Sequence, residues 1–600
     1  MVLRARPDRV SGFHFSPRPN RAGEIAWREW GDPAFAEAKA ADKPILLAIS
    51  AVWCHWCHVM DETSYSDAEV IRRINADYIP VRVDNDQRPD VNRRYNLGGW
   101  PTTAFLTPDG EILNGGTYIP PEGMRQYTAQ IATVWRDRKD ELLARLREAT
   151  APEAQAHVTR AGDLGWDIVD TIGSLIRGQY DPEYGGFGRA PKFPQPKLLR
   201  FLIDEHRRNA APEVATMLHK TLAAMAGGGM YDPVEGGFFR YSTTREWGIP
   251  HFEKMLEDNA ELLAVYAEAA RSFPGSGYDR IIRDVTRWMD AVLWQPDQHL
   301  FSGSQDADEH YYTLDAAHRA DHGRPYVDTR LYTGWNALAA SALFATYAAL
   351  GDDAAEEHGH DAMHTIATRM VVDRQLMHFD SGAGPQLPDL LVDLAAYLTA
   401  TLDAYESGKR PGALRGAEVI AGWLRERLED PAAGGFWDAP ERAEPGRVSK
   451  REKPIEDGAA AADALLRLAA LTGDDTWRES ALRALRGFVG EYRQWGQFAA
   501  AYGSAVARAL AEPLVISVVG PERDLTATAL WRVAVAYDDP ARSLHRLVRD
   551  RDAARLGTLG YPPERIAAYV CVGTACSAPI IDPGELEREL ARARRRFARS

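Results

Sequence analysis

Residues 42–60 read DKPILLAISAVWCHWCHVM and decide the fold of the N-terminal part of the chain. The apolar run Pro44–Ser50 predicts a buried strand, and Cys54 and Cys57 follow it at the expected start of a helix. A thiol at a helix N-terminus lies near unpaired backbone N–H groups and the helix dipole, which stabilise a thiolate. We therefore predict Cys54 as the nucleophile of a redox-active pair and Cys57 as the thiol that resolves a mixed disulfide. This interpretation requires Cys54 to be accessible.

Two histidines lie within or beside the cysteine pair. His55 stands between the cysteines and would stabilise the Cys54 thiolate when protonated, and His58 follows them directly. Cys54, Cys57 and His58 also match the C-x-x-C-H pattern of c-type haem attachment, but that chemistry requires export and no apolar signal segment precedes the motif. A zinc site is disfavoured because the histidines lie too close to the cysteines to converge with them. An inherited motif without activity is a third alternative, and we predict no cofactor and no metal.

Further strands and helices alternate on both sides of the motif. The pattern predicts a small sheet covered by helices within residues 1–150. The predicted segments are a helix over Ala34–Ala41, a helix over Asp67–Ala76, a strand over Tyr78–Asp84, a turn over Gly98–Pro101, a strand over Thr102–Thr107 and a helix near Arg125–Ala149. Ala149–Gly162, rich in Ala, Pro, Glu and Thr, predicts a linker.

Residues 163–510 change to Ala- and Leu-rich amphipathic helices, joined by turns of similar composition. The turns are Asp181–Gly188 (DPEYGGFG), Asp232–Arg240 (DPVEGGFFR), His299–Asp306 (HLFSGSQD) and Asp430–Asp438 (DPAAGGFWD). The spacing of the first two is about that of one helical hairpin, which predicts a degenerate repeat of helix pairs. The length accommodates six hairpins closed into a toroid around a cavity, with an open superhelical array as the alternative. Residues 511–600 predict a small α/β cap, with strands near Pro513–Gly520 and Ala567–Val572 and a helix over Pro583–Ala598.

Composition narrows the function classes. Hydrophobic residues make up 45% and charged residues 26% of the 600, as in soluble globular proteins. The formal net charge of -15 repels phosphate backbones and anionic lipid, so nucleic acid and membrane partners are not expected. Four cysteines exclude a disulfide scaffold, and we predict a cytoplasmic protein. Cys571 and Cys576 are interpreted either as buried structural thiols or as a second dithiol that exchanges with the first.

Several motifs resemble one family over essentially the whole chain. The motif WCxxC followed by Gly-Trp-Pro-Thr at Gly99–Thr102 is similar to a thioredoxin fold, in which a cis proline, here Pro101, faces the cysteine pair. More narrowly, the sequence resembles the thioredoxin-domain proteins of the spermatogenesis-associated protein 20 family, whose members join a thioredoxin-like domain to an (α/α)6 six-hairpin toroid. The motifs that support this are VDNDQRPDVN (83–92), GGWPTTAFLTPDG (98–110), APKFP (190–194), PHFEKMLEDNAELL (250–263), GWNALAASAL (334–343), EKPIEDGA (452–459) and AYVCVGTACSAPI (568–580).

The chain departs from these patterns in three places. Thioredoxins carry a buried carboxylate six residues before the first cysteine, and this position is Ala48. The stretch after the EDGA-like motif lacks a Pro-Ser-Gly-Asn sequence and contains Ala459–Ala462 instead. A later Asp-Tyr-Ala motif is present as Asp393, Leu394 and Ala395. The first departure weakens the dithiol interpretation, and the other two weaken the case for a working sugar site.

The helical region also contains candidate pocket residues. His251, Lys254 and Asp258 would share one face of a helix that starts near Pro250. Acidic and aromatic residues together are typical of carbohydrate pockets, and a carboxylate pair or a His–carboxylate pair provides acid and base groups. The complete set is His251, Glu253, Lys254, Glu257, Asp258, Asp306, Asp308, Trp335, Asn336, Asp393, Glu456 and Asp457.

The sequence thus predicts a multidomain protein with a thioredoxin-like α/β domain (1–150), an (α/α)6 toroid (163–510) and a small α/β cap (511–600). The predicted function is thiol–disulfide exchange at Cys54 and Cys57 with a protein or small-molecule disulfide, while the toroid selects the substrate. One alternative is a carbohydrate-active enzyme, such as a sugar epimerase, an isomerase or a glycosidase-like protein of carbohydrate metabolism. The other is a scaffold without activity. The sequence does not predict an oligomeric state.

Overall fold

A computed structural model describes residues 12–150 and 162–597 of the chain. The described residues before position 159 form one compact unit together with Glu441–Arg451, and the remainder forms a second unit. The predicted linker 149–162 lies largely outside the described residues. Within the described part of the chain, no helix has the length and apolarity needed to cross a bilayer.

The first unit is built on the strand that the opening motif predicts. Every residue of Ile45–Ser50 is buried, because both faces of this central strand are covered. The sheet order is β2-β1-β3-β4, in which β2 runs parallel and β3 antiparallel to β1. The elements are α1 Asp32–Ala41, β1 Ile45–Ser50, α2 His55–Glu62, α3 Ala68–Asp77, β2 Ile79–Asp84, α4 Pro89–Tyr95, β3 Thr102–Leu106, β4 Ile112–Gly116 and α5 Pro121–Thr150.

A segment distant in sequence completes this unit. Val448 packs into the apolar core on the side of the sheet that also contains Phe35 and Tyr95. Arg442 bonds the buried Asp90 at 2.7 Å, and Arg447 bonds Glu111 at 2.9 Å. The sequence placed residues 441–451 inside the helical region, because nothing local marks an excursion of the chain into another unit.

The second unit consists mainly of helices. Its elements before the cap are α6 Trp166–Arg177, α7 Pro196–Asn209, α8 Pro212–Gly227, β5 Tyr241–Ser242, β6 Pro250–His251, β7 Lys254–Met255, α9 Leu256–Ser272, α10 Tyr278–Trp288, β8 Trp294–Gln295, β9 Leu300–Phe301, β10 Ser304–Gln305, α11 Glu309–Thr313, α12 Ala316–His322, β11 Val327–Asp328, β12 Leu331–Tyr332, α13 Thr333–Leu350, α14 Asp353–Thr365, β13 Val371–Val372, β14 Gln375–Asp380, β15 Pro385–Pro388, α15 Leu391–Glu406, α16 Ala413–Leu428, α17 Ile455–Thr472, α18 Asp475–Arg486 and α19 Ala500–Leu510.

These helices close into a double ring. Six inner helices among the described residues pack in the order α7, α9, α13, α15, α17 and α19, and α19 packs back onto α7. Each has an outer partner: α8 on α7, α10 on α9, α14 on α13, α16 on α15, α18 on α17 and α6 on α19. The ring is therefore closed by its first helix and its last. The predicted (α/α)6 toroid is confirmed, and the open superhelical array is not formed.

Three of the predicted turns share one lysine–carboxylate interaction, which is buried in two of them and partly buried in the third. In each, a lysine that precedes the next inner helix donates from Nζ to the carboxylate of the turn aspartate at 2.7 Å and to a glycine carbonyl at 2.6–2.8 Å. The pairs are Lys192 with Asp181, Lys254 with Asp232 and Lys453 with Asp430. We call this arrangement the lysine lock, and it ties each outer helix to the inner helix that follows it. The fourth predicted turn, His299–Asp306, differs because it spans β9 and β10 and buries Gln305.

Replacing Lys254 with Met should lower the free energy of unfolding by about 3 kcal/mol, because Asp232 stays buried with one cation fewer. Lys453→Met should cost less because that side chain is 16% exposed, and the control Lys450→Met, at a side chain 74% exposed, should cost less than about 0.5 kcal/mol. Urea unfolding followed by tryptophan fluorescence measures all three. Equal losses for Lys254→Met and Lys450→Met would contradict a stabilising lock.

The cap packs over the C-terminal ends of the inner helices. Its elements are β16 Leu514–Val519, α20 Leu525–Ala536, β17 Arg542–Leu547, α21 Ala553–Leu559, β18 Ala567–Val572, β19 Ala575–Cys576 and α22 Pro583–Phe597. The sequence predicted β16, β18 and α22 but missed β17, since RSLHRL contains polar residues that are buried here. His545, for example, is hydrogen-bonded to the Tyr405 hydroxyl at 2.6 Å, and burial lowers its pKa to about 3.

The cap repeats the strand topology of the first unit. Its sheet order is β17-β16-β18-β19, with β17 parallel and β18 antiparallel to β16, as β2 and β3 are to β1. In both units a strand, a helix and a parallel strand are followed by an antiparallel pair and a final helix. The position after β16 that corresponds to the cysteine motif contains Gly520–Asp524, and no cysteine is present there.

Candidate functional site

The cysteine pair lies at the N-terminus of α2, directly beyond the end of β1. Cys54 is the N-cap residue of this helix, and its Sγ accepts a hydrogen bond from the backbone N–H of Cys57 at 3.2 Å. The two cysteines form a disulfide. An N–H donor and a helix N-terminus at one sulfur both favour the thiolate that appears when this bond opens. The local geometry therefore suits thiol–disulfide exchange.

Both cysteines are buried, whereas the redox interpretation of the sequence requires an accessible Cys54. Cys54 is 4% exposed and Cys57 is 2% exposed. Attack by or on a thiolate needs access to the sulfur. We expected Cys54 to be accessible, and in this conformation it is buried.

Pro101 lies beside the same strand end. The Trp100–Pro101 peptide bond is cis, and Thr102, the next residue, pairs with Ile49 of β1. This register brings Pro101 next to the point where β1 leads into the cysteine motif.

The two histidines have different surroundings. Burial lowers the pKa of His58 below its usual value, against the opposing effect of the Asp61 carboxylate, so this imidazole is neutral near pH 7. His55, like His58, is partly buried, and its ring lies edge-on to that of Trp56, a residue that is 44% exposed and packs on Tyr118. His58 is thus suited to accept a proton, and His55 lies on the side where an aromatic ring faces solvent.

Polar residues that sequence reasoning missed surround the motif. Trp53 Nε1 donates to the buried carboxylate of Asp86 at 2.6 Å. Beneath the motif, Arg82 pairs in register with Ala48 and is held by Asp61 through hydrogen bonds of 2.8 and 3.0 Å. The position beside Ala48, where thioredoxins carry a carboxylate, therefore contains the buried Arg82–Asp61 ion pair. A charged Arg82 inside the apolar strand IPVRVD was the available signal.

The ring encloses a cavity of about 1060 Å³. Residues on all six inner helices line it, and the cap contributes to its wall at their C-terminal ends. Of the predicted pocket residues, Glu257, Glu456 and Asp457 line this cavity, all near the N-terminal ends of inner helices. Sequence reasoning missed the charged residues on the same walls, although they recur every three or four positions along α7 and α9. These include Lys197, Arg200, Asp204, Arg207, Glu261 and Glu268.

One lysine is surrounded by carboxylates at the end of the cavity where the inner helices begin. Lys197 Nζ forms a hydrogen-bonded ion pair with the Glu456 carboxylate and lies 3.6 Å from the carboxylate of Glu261. Burial disfavours its charge, but Glu261, Glu456 and Asp457 together outweigh burial and raise the pKa of Lys197 well above its usual value. The group is a fixed cation with several acidic neighbours.

His251, Glu253 and Asp258 lie next to this group. His251 Nδ1 is 3.6 Å from Glu253, and its ring stacks on Tyr241 with centroids 4.4 Å apart. Burial raises the pKa of Asp258 to about 7, with Glu261 and Glu253 acting in the same direction. The structure therefore brings together three of the predicted residues, and one of them titrates near neutrality.

The predicted helix start at Pro250 is wrong. Residues 250–251 and 254–255 form β6 and β7, which pair with β5 and β10, and α9 begins at Leu256. His251 and Lys254 therefore do not share a helix face with Asp258. Strand pairing and the lysine lock fix this segment in place of helical hydrogen bonds.

Several predicted pocket residues serve the fold and do not line the cavity. Lys254 belongs to the lysine lock, and Asp308 caps α11 by accepting from Tyr311 N–H at 2.9 Å. Asn336 is fully buried and hydrogen-bonds both backbone groups of Phe301, at 2.7 and 3.1 Å. Asp306 is buried after β10, and Trp335 packs on Tyr332 with ring centroids 4.5 Å apart.

Asp393 joins two elements through a residue that the sequence did not indicate. One carboxylate oxygen accepts from Gly334 N–H at 2.9 Å, and the other lies 2.7 Å from His378 Nδ1. All three residues are buried. His378 is an isolated histidine in β14, so no spacing in the sequence marks it.

Residues 18–152 match the family model described as Thioredox_DsbH, a protein of unknown function (DUF255). Human spermatogenesis-associated protein 20 is 26% identical over 94% of this chain and 90% of its own length. Thiol:disulfide interchange protein DsbD 1 of Pseudomonas aeruginosa is 35% identical over 17% of this chain and 18% of its own. A solved sugar epimerase from a ruminal bacterium superimposes with a TM-score of 0.45 at 14% identity, over 55% of this chain and 85% of that one.

The class of protein is defined by a thioredoxin-like domain on the same chain as a closed (α/α)6 toroid with an α/β cap. The predicted resemblance to the spermatogenesis-associated protein 20 family is confirmed, because the similarity to the human protein extends over 94% of this chain.

Replacing Asp258 with Asn should stabilise the protein by roughly 4 kcal/mol at pH 8, because each unit of pKa shift corresponds to about 1.4 kcal/mol, and by only about 1 kcal/mol at pH 4.5. The folded-state pKa of about 7 exceeds the usual 3.8, so the folded chain binds more protons between these values, and stability falls as pH rises through this window. Thermal unfolding at both pH values measures the difference. Asp279→Asn, at an exposed aspartate, is the control. Equal effects of Asp258→Asn at the two pH values would contradict the raised pKa.

Proposed function

We propose that the protein is a thiol–disulfide oxidoreductase that uses Cys54 and Cys57. The observation that supports this most directly is the position of Cys54, which caps α2, accepts the Cys57 N–H at its sulfur and is disulfide-bonded to Cys57. The Cys54 thiolate attacks one sulfur of a substrate disulfide, and the other substrate sulfur leaves. Cys57 then attacks Cys54, which releases the reduced substrate and restores the protein disulfide.

The burial of Cys54 narrows the substrate class. A folded protein cannot bring a disulfide to a sulfur that is 4% exposed without displacing its cover. A small-molecule disulfide needs a much smaller opening. We therefore favour a low-molecular-weight disulfide as the substrate and, in the proposed cytoplasmic setting, a dithiol as the resting form.

Neutral His58 supplies the proton acceptor that Ala48 does not. His58 directly follows Cys57 in the sequence, and its lowered pKa leaves the imidazole neutral at pH 7, so we assign it as the proton acceptor of the pair. In this proposal the Asp61–Arg82 pair is structural, because both oxygens of Asp61 already accept hydrogen bonds from Arg82.

Cys54→Ser should abolish reduction of hydroxyethyl disulfide, and Cys57→Ser should accumulate a mixed disulfide on Cys54 that mass spectrometry detects. Wild-type turnover should be at least about tenfold faster with hydroxyethyl disulfide than with the protein substrate insulin. Thr63→Ser, at the C-cap of the same helix, is the control, since it leaves all four cysteines in place. Full activity of Cys54→Ser would contradict the proposal, and faster turnover of insulin would contradict the substrate class.

The second candidate function is carbohydrate binding or turnover in the toroid. It rests on the 1060 Å³ cavity, whose N-terminal end places Lys197 among Glu261, Glu456 and Asp457 as acid and base groups. The cavity has few aromatic rings. Among the described residues that line it, the aromatic ones are Trp166, Phe344 and Tyr347. Glu456→Gln would abolish sugar turnover and leave disulfide reduction unchanged, whereas Cys54→Ser would do the reverse. Absence of both activities from the wild-type protein would leave the scaffold function.

A further inference from the structure

The cap contains a second disulfide whose two cysteines differ in exposure. Cys571 in β18 and Cys576 in β19 are directly opposite each other in register and are bonded. Cys571 is buried, at 7% exposed, whereas Cys576 is exposed. Because exchange proceeds by attack on an accessible sulfur, a thiolate from solution meets Cys576 first and Cys571 is the leaving group.

The leaving sulfur has a hydrogen-bond partner. The hydroxyl of Tyr561 lies 3.5 Å from Cys571 Sγ. Tyr561 is held in place by stacking on Tyr569, with ring centroids 4.2 Å apart and planes 20° apart. A phenolic O–H donates to a thiolate and stabilises it, which makes Cys571 the better leaving group.

A purely stabilising role explains this bond poorly. The loop between residues 571 and 576 is very short, and a disulfide that closes a short loop restricts the unfolded chain little. Structural disulfides are also usually protected from thiols, whereas exposed ones tend to be labile.

We propose that Cys571–Cys576 is a second thiol–disulfide exchange site with a fixed polarity, which accepts electrons from a small dithiol. One thiolate of the dithiol attacks Cys576 Sγ, the Cys571–Cys576 bond breaks, and Cys571 leaves as a thiolate that accepts the Tyr561 O–H. The second thiolate of the reductant attacks its own sulfur in the mixed disulfide and releases Cys576. Two electrons pass to the cap, the dithiol becomes a cyclic disulfide, and its two protons reach the cysteines through solvent.

The test uses the full chain with Cys54→Ser and Cys57→Ser, so its outcome does not depend on the activity proposed above. The folded protein is treated with dithiothreitol, quenched with iodoacetamide at intervals, and analysed by mass spectrometry of the peptide that contains both cysteines. We expect reduction without unfolding, monitored by circular dichroism. Reduction only after denaturant is added would overturn the proposal.

Tyr561→Phe tests the leaving group. It should slow reduction by about tenfold, the effect of losing one hydrogen bond to a charged group. Tyr569→Phe is the matched control, because its buried hydroxyl has no hydrogen-bond partner among the described residues, and this variant should reduce at nearly the wild-type rate. Equal rates for the two variants would overturn the role of Tyr561.

Two further variants test the polarity without disturbing either tyrosine. With Cys571→Ser, the remaining Cys576 should form a mixed disulfide with oxidised glutathione at least about tenfold faster than Cys571 does in Cys576→Ser, because only Cys576 is exposed. Similar rates, or a faster Cys571, would show that attack is not directed to Cys576 and would overturn the proposal.

Discussion

The lysine lock is the interaction on which the helical ring depends. A buried ammonium group costs several kcal/mol in desolvation and is tolerated only where carboxylate and carbonyl oxygens surround it. Lys192, Lys254 and Lys453 each meet this condition at the junction of an outer and an inner helix. An unpaired carboxylate would be left if the junction opened, so the lock favours one relative position of the two helices. These junctions position the inner helices, which form the cavity wall.

Local sequence patterns were sufficient for most of the fold and for part of the site. The strand before Cys54, the Ala-rich inner helices and the repeated turns are signals of short range, and the structure contains all of them. Residues 441–451 and the strand Arg542–Leu547 were beyond such reasoning, because their polar residues find partners far away in sequence. Lys254 shows the same limit at the site, where a charged residue near a pocket motif proved to stabilise a turn. His378 could not have been found, since only the folded chain brings it to Asp393.

The first unit and the cap use one strand topology for different purposes. In the first unit the cysteine pair lies where the central strand leads into α2, and a cis proline lies beside it. In the cap the corresponding loop is Gly520–Asp524, and the cysteines lie on the antiparallel strands β18 and β19. The opposite face of that hairpin, at Val572 and Ala575, lines the toroid cavity. The cap therefore covers one end of the cavity and places two cysteines near the cavity wall.

Closure of the ring by α6 and α19 has a consequence for how the chain acquires its structure. Helices separated by more than three hundred residues must meet before the apolar surfaces of either are covered. During synthesis the growing chain holds an incomplete arc, and its two edges stay exposed until the last inner helix has been made. Contacts of such long range form late and slowly. A chain that lacks α19 and the cap cannot close the ring. We expect such a fragment to lose its cooperative unfolding transition and to aggregate.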